Sequence, residues 1–418
     1  MSAPESDRTA ARPGRRHLLR AGTLGVGALG VGAAAVGLDR SRRDPGGSAS
    51  GQEAESAAAP YGGATVPFHG AHQAGVETPA PASATFLSLD LREDVDRDGV
   101  LRMLRLLTDD AARLTRGEPA LADTEPELAT EPASLTVTAG FGPGLMSRAE
   151  RTAPEWLAPL PAFGIDELEE QWSDGDLLLQ IAAEDPLTVS HAARMLLKDA
   201  RAFATLRWGQ TGFRRSPGVE RPGSTMRNLF GQLDGTANPA PGSDRFARTV
   251  WIEEGPFAGG TSMVVRRIRM DLDGWDEADR GAREAATGTR QDSGAPLSGG
   301  DESTPPDFEK VSANGFPVIG EFSHVRRARG VDDGEHQEIY RRPYNYEHAP
   351  APGSQLLSEA GQVFVSFQAD PLAQFLPIQR RLDELDLLNQ WTTPIGSAVF
   401  AIPPGCAEGE FLGQSVLE

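Results

Sequence analysis

The sequence predicts an α+β fold with antiparallel sheets and peripheral helices, one sheet in each half of the chain. The strand- and helix-like runs over residues 84–212 follow the order β-α-β-β-α-β. A looser version of that order recurs over residues 250–402. No heptad, short-period repeat or glycine-rich nucleotide loop interrupts either stretch.

In the first half, Ala84–Leu91, Ser134–Ala139, Asp176–Ala182 and Ala204–Gly212 read as strands. Gly99–Thr115 carries Leu101, Leu104, Leu107 and Ala111 at helical spacing. Leu187–Ala200 does the same with Val189, Ala192, Met195 and Leu196. This order is the ferredoxin-like pattern, with helices on one face of an antiparallel sheet. In the second half, Val250–Glu253, Thr261–Leu272, Gln362–Phe367 and Ser397–Ile402 read as strands. Trp275–Thr287 reads as an amphipathic helix with Asp273 as a candidate cap. Pro371–Leu388 reads as a helix that Pro377 should kink or interrupt. The expected organisation is a signal region over 1–45, a linker over 46–63, and ferredoxin-like domains over 64–215 and 216–418. Residues 288–308 are rich in Gly, Ser, Pro and acids and read as a long surface loop. The acidic stretch 121–131 reads as solvated surface.

The chain has 418 residues, 39% of them hydrophobic, and a formal charge of −20. Such a surface repels nucleic acid and anionic membrane and suits neutral or cationic partners. Cys406 is the single cysteine, so the chain holds no internal disulfide and no Cys-rich metal site. Near the N-terminus, Arg15-Arg16 precedes the run Ala21 to Leu38, whose six glycines make it a poor membrane span and a good signal segment. The pair therefore points to twin-arginine export of a folded protein, with the twin-arginine translocase as partner and a location outside the cytoplasm. The alternative is an ordinary basic N-terminus.

The segment Phe230-Gly231-Gln232-Leu233-Asp234-Gly235-Thr236-Ala237-Asn238-Pro239 places one carboxylate between glycines in a run too rich in turn formers for a helix. An acid on such a loop either braces a turn or stands at a reaction centre, and both readings remain open at this point. Further on come Ser323-His324-Val325-Arg326 and then Tyr340-Arg341-Arg342-Pro343-Tyr344. Of the other six histidines, His17 falls in the signal region, His69, His72 and His348 lie in loops with no partner readable from sequence, His191 falls on a helix as a surface residue, and His336 shares an exposed turn with Asp332 and Glu335.

Asp234-Gly235, His324 and Arg341, in that order, resemble the dye-decolourising peroxidase family. Val66 to Gly75, Ser293 to Asp307, and Gln362 to Ile378 resemble it as well, so the likeness runs from about residue 62 to the C-terminus. The resemblance implies haem b, one per chain, in the C-terminal half, with His324 as the proximal iron ligand. It implies that Asp234 and Arg341 act on hydrogen peroxide from the distal face. Arg341 is preferred to Arg342 by match to the family's arginine-then-aromatic segment. Arg326 would pair with a haem propionate. Asn238 and Phe367 would line the pocket, Phe367 together with Phe375 as an apolar wall, the alternative for both rings being ordinary core aromatics. A ligating imidazole needs an acceptor on its other nitrogen. Asp386 is the expected acceptor, the alternative being a helix-surface acid.

The implied activity is a haem peroxidase that oxidises dyes, phenolics or other one-electron donors. Within the same fold, a protein that removes iron from haem or serves metal uptake is the alternative, and a non-enzymatic haem carrier is a third. Electrons from bulky or metal-linked donors would enter through surface aromatics. Trp391 and Tyr346 are the candidates, each with a packing role as its alternative. A homo-oligomer is compatible with the sequence.

Overall fold

A computed structural model describes residues 61–221, 223–329 and 337–418. Arg15, Arg16, the linker up to residue 60, and Asp332, Glu335 and His336 lie outside the described residues.

The first half follows the predicted order closely. Strand β1 (Ser83–Leu91) leads into helix α1 (Arg97–Leu114), then β2 (Thr136–Phe141), short α2 (Pro143–Arg148), β3 (Leu177–Ala183), α3 (Pro186–Ala200) and β4 (Ala204–Phe213). Each long helix starts at an aspartate cap. Asp96 accepts from Gly99 N at 2.8 Å, and Asp185 accepts from Thr188 N at 2.9 Å. Their apolar stripes, including Val100, Leu104, Leu107, Val189 and Leu196, are buried against one face of the sheet.

The second half departs in places. Val250–Glu253 is no strand: Val250 ends helix α4 (Asp244–Val250), which Ser243 caps. Strand β5 is Thr261–Met270. The single helix expected over Trp275–Thr287 is two, α5 (Leu272–Glu277) and α6 (Arg280–Thr287). The break falls where Asp279 turns extended and caps Ala282 N at 2.8 Å. Asp271, not Asp273, caps α5 through Gly274 N at 2.9 Å. After α7 (His324–Arg329) come β6 (Tyr340–Arg341), β7 (Tyr344–His348), β8 (Glu359–Gln368), α8 (Phe375–Leu385) and β9 (Thr392–Ile402). The helix expected over Pro371–Leu388 is thus shorter. Pro377 does not kink it, because it sits in the first turn, where an N–H has no intrahelical acceptor.

All strand pairings are antiparallel, in the order β5-β9-β2-β3-β1-β4-β7-β8-β6, and β8 also pairs with β5. The sheet therefore closes on itself. Where the sequence suggests two separate sheets, the described residues form one compact unit with one sheet. The first half contributes β2-β3-β1-β4 and the second β9-β5-β8-β7. The two runs are joined by single residue pairs, Phe141↔Ala401 and Phe213↔Asn345. A core drawn from both halves fills the enclosed face, with Phe86, Leu178, Trp208, Met263, Val265, Val365, Phe367 and Phe400.

Between α1 and α3, buried Asp110 faces Asp199. Burial first, and then the Asp110 charge, pushes the Asp199 carboxyl up to about 8. The folded chain thus binds this proton more tightly than the unfolded chain, whose carboxyl titrates near 3.8. Stability from this group is fully present below that value and is lost as pH rises through about 8. Asp199→Asn, which keeps a donor towards Asp110 without a charge, is expected to raise Tm by roughly 2–5 °C at pH 9 and to do little at pH 5. Thermal melts at both pH values check this. An equal shift at the two would contradict it.

Candidate active site

The loop bearing Asp234 is held rigidly. Its ends form an isolated bridge, Arg227↔Leu233, and Asp234 N donates to Met226 O at 2.8 Å. Gly231 and Gly235 take φ of 78° and 133°, which a side chain would strain. Arg227 Nη1 donates to Gly231 O at 2.7 Å and Gln291 O at 2.8 Å, and its Nη2 to Asp292 O at 2.7 Å. One guanidinium thus ties this loop to the 288–308 loop. Beneath it, buried Phe230 stacks on Trp275 with centroids 4.4 Å apart.

Arg341 approaches from β6. Its Nη1 donates to Asp234 Oδ1 at 2.6 Å. Asn238 grips the backbone behind it: Asn238 Nδ2 donates to Arg341 O at 2.7 Å, and Arg341 N donates to Asn238 Oδ1 at 3.0 Å. Asn238 therefore holds Arg341 in place. Of the two adjacent arginines, Arg341 is the one that meets Asp234. Arg342 is buried and donates to Thr78 O and Pro79 O, away from Asp234. The second carboxylate oxygen of Asp234 accepts from Gln362 Nε2 of β8 at 2.8 Å.

His324 opens α7. The helix is locked to α8 by reciprocal bonds: Arg327 Nε donates to Arg381 O at 2.9 Å, and Arg381 Nε to Arg327 O at 3.1 Å. Asp386, the residue that ends α8, is buried. Its Oδ1 accepts from Leu388 N at 2.9 Å, and its Oδ2 lies 2.6 Å from His324 Nδ1. Burial opposes a charged imidazole, but the charge of Asp386 and its hydrogen bond outweigh this, so the His324 pKa is raised. Smaller long-range effects oppose each other: the Arg341 charge disfavours the charged imidazole and the Asp234 charge favours it.

Strand β8 shows which side chains face that site. Residues along a strand alternate between faces. Gln362 touches Asp234, so Phe364 shares its face. Phe364 is half-buried, 6.0 Å from the Phe375 ring. Phe367 has the opposite parity and is fully buried in the core inside the closed sheet. Phe367 therefore packs as a core aromatic, and the β8 ring that lies beside Phe375 is Phe364. Arg326 donates through Nη1 to Phe308 O at 2.9 Å and Ile319 O at 3.3 Å, which fastens the loop before α7.

The other histidines are accounted for differently. His191 is no surface residue: it is 4% exposed, with Nε2 2.8 Å from Asp123 Oδ2, so Asp123 is not solvated either. His72 stacks on Trp251 at 3.7 Å. His69 Nδ1 lies 3.7 Å from Cys406 Sγ. Burial pushes that thiol up to about 11, so it is a poor thiolate ligand. Tyr346 is buried beneath Arg267, whose guanidinium lies 4.4 Å from its ring. Trp391 is half-buried and packs edge-on to Trp275 at 5.0 Å.

Two family models match nearly the whole described chain, "Dyp-type peroxidase, N-terminal" over residues 73–214 and "Dyp-type peroxidase, C-terminal" over residues 225–407. The chain belongs to the Dyp-type peroxidase family. A curated relative, the dye-decolorizing peroxidase of Thermobifida fusca (strain YX), is 38% identical over 397 residues, covering 90% of this chain and 89% of the relative. The deferrochelatase of Shigella flexneri is 32% identical over 378 residues, covering 84% and 87%. The crystal structure of a DyP-type peroxidase from Cellulomonas bogoriensis matches with a TM-score of 0.83 and 52% identity, covering 86% of this chain and all of that one.

This DyP-type peroxidase is a haem enzyme. The residues present fit that cofactor. With Nδ1 engaged by Asp386, His324 has Nε2 left for a metal, and no protein group among the described residues hydrogen bonds to it. The imidazole side chain is 35% exposed, although its partner carboxylate is 3% exposed. An imidazole backed by a carboxylate is the usual arrangement of a ligating histidine.

Proposed function

We propose that the chain uses hydrogen peroxide to oxidise dyes, phenolics and other one-electron donors at one haem b, held through His324 Nε2, with Asp234 and Arg341 acting on peroxide from the opposite face. The observations that carry this reading are two hydrogen-bonded pairs, Asp386–His324 and Asp234–Arg341, each with a 2.6 Å contact. Haem, when bound, supplies the iron and porphyrin that take up the two oxidising equivalents of peroxide. Asp234 would accept a proton from one peroxide oxygen and return it to the other, the departing oxygen, which leaves as water. Arg341 donates to that departing oxygen as charge builds on it. Asp386 accepts from the Nδ1–H of His324, fixing the tautomer that leaves Nε2 free. Arg326 pairs with a propionate through the donors it does not spend on Phe308 and Ile319. Trp391, half-buried, is the better of the two aromatic candidates for electron entry.

The alternative, removal of iron from haem, rests on the Shigella relative and is the weaker reading, since the peroxidase relatives are more similar. Steady turnover of a phenol or anthraquinone dye by peroxide tests the choice. Release of intact iron-free porphyrin without turnover would favour the alternative.

Residues 64–215 and 216–418 are read as two ferredoxin-like halves sharing the closed sheet. Residues 1–45 are read as a twin-arginine signal that sends the folded, cofactor-loaded protein out of the cytoplasm. Changing Arg15 and Arg16 to Lys is expected to leave the protein inside the cell, as cell fractionation would show. Undiminished export would remove the assignment.

A further inference from the structure

The structure assigns Gln362 as a positioning residue for Asp234, one that fixes the carboxylate and biases it towards its ionised form. This rests on the proposed role of Asp234 as the proton acceptor. Arg341 holds Oδ1 at 2.6 Å and Gln362 Nε2 holds Oδ2 at 2.8 Å, so both oxygens are anchored from two different strands. The Asp234 side chain is 12% exposed, so water is a weak substitute for either donor.

The two donors are not equivalent. A guanidinium can only donate and is always charged. A carboxamide can donate through Nε2 or, after rotating, accept through Oε1. In the geometry observed, Gln362 donates through Nε2 to Oδ2 and so favours the carboxylate, adding a neutral donor to the charged one that Arg341 supplies at Oδ1. The backbone at Gln362 is pinned on both sides, paired with Ile268 of β5 and Asn345 of β7, and its side chain is buried. Its reach to Asp234 is thus set by the sheet. Other charged groups bear on Asp234. Arg214, the residue after β4, interacts with it through space, as does His324 of α7. Arg227 anchors its loop, and Glu302 accepts from Thr236 two residues on, at 2.9 Å. None of these takes the Oδ2 position.

Removing the donor should disfavour the carboxylate, and a like charge in its place should do so more strongly. The test uses the haem-loaded enzyme, wild type beside Gln362→Leu and Gln362→Glu. The rate of the peroxide-induced Soret change is followed against pH. In parallel, the infrared carboxylic acid band that Asp234→Asn abolishes is titrated. The expected result is an acid limb displaced towards neutral pH by about one unit in Gln362→Leu, and by more in Gln362→Glu. The Asp234 infrared band should persist to correspondingly higher pH. Below the limb this is about a tenfold slower reaction, with recovery well above it. If the leucine variant does not load haem, the isosteric glutamate variant carries the test. An unmoved acid limb and infrared band in a haem-loaded variant would overturn the assignment of Gln362. A wild-type enzyme whose acid limb survives Asp234→Asn would instead overturn the role of Asp234.

Discussion

Arg341→Ala is expected to slow the reaction with peroxide by about 10²–10³-fold, the usual loss when one preorganised donor to a developing oxyanion is removed. The factor should be nearly constant with pH, because a guanidinium keeps its charge throughout the working range. Asp234→Asn is expected to slow the same step by about 10²–10⁴-fold, as befits a positioned base. It should also abolish the acid limb, since the titrating acceptor is gone. The two side chains share a 2.6 Å contact, so their losses should not add in the double variant. Stopped-flow mixing with peroxide across pH, on haem-loaded variants, separates the two roles. Wild-type rates with wild-type pH dependence in both would remove the distal assignment and leave His324 untouched.

His324→Ala is expected to abolish stable haem binding. The chain holds the imidazole in one orientation, through the α7–α8 lock and the 2.6 Å contact with Asp386. Cys406 pairs with His69, and His191 pairs with Asp123, so neither is placed to compensate. Reconstitution followed by absorption and haem extraction checks this. A variant with full haem content and an unchanged Soret band would show that His324 is not the ligand.

What sequence reading reached, and what it missed, follows from how far each inference had to travel along the chain. Helices α1 and α3 were legible because their apolar stripes repeat over four or five turns and each begins at an aspartate cap. The Asp234 loop was legible because Gly231 and Gly235 mark backbone that only glycine adopts easily. Phe367 was readable either as a pocket residue or as a core aromatic, because β8 is buried on both faces and shows no alternation to fix its parity. The pairing of Gln362 with Asp234 depends on register across the closed sheet, and no local pattern encodes it. The closure itself rests on single residue pairs such as Phe213↔Asn345, which leave no periodic trace. The split between α5 and α6 did have a signal: Asp279, three residues before Ala282, is a helix-start residue inside an otherwise continuous amphipathic run. His191 looked exposed by helical position, and its burial depends on Asp123 folding back from a segment that reads as uniformly acidic.

The central claim is that peroxide reacts at a haem held on His324 and that the oxidising equivalents then pass to a donor. One absorption experiment tests it most directly: the Soret region of the haem-loaded wild-type protein is recorded before peroxide, after one equivalent, and after a phenolic donor is added. The account predicts a rapid change on adding peroxide and full return of the original spectrum once the donor is present, with porphyrin and iron both retained. A spectrum that peroxide leaves unchanged, or one that decays to iron-free porphyrin and does not return, would contradict it.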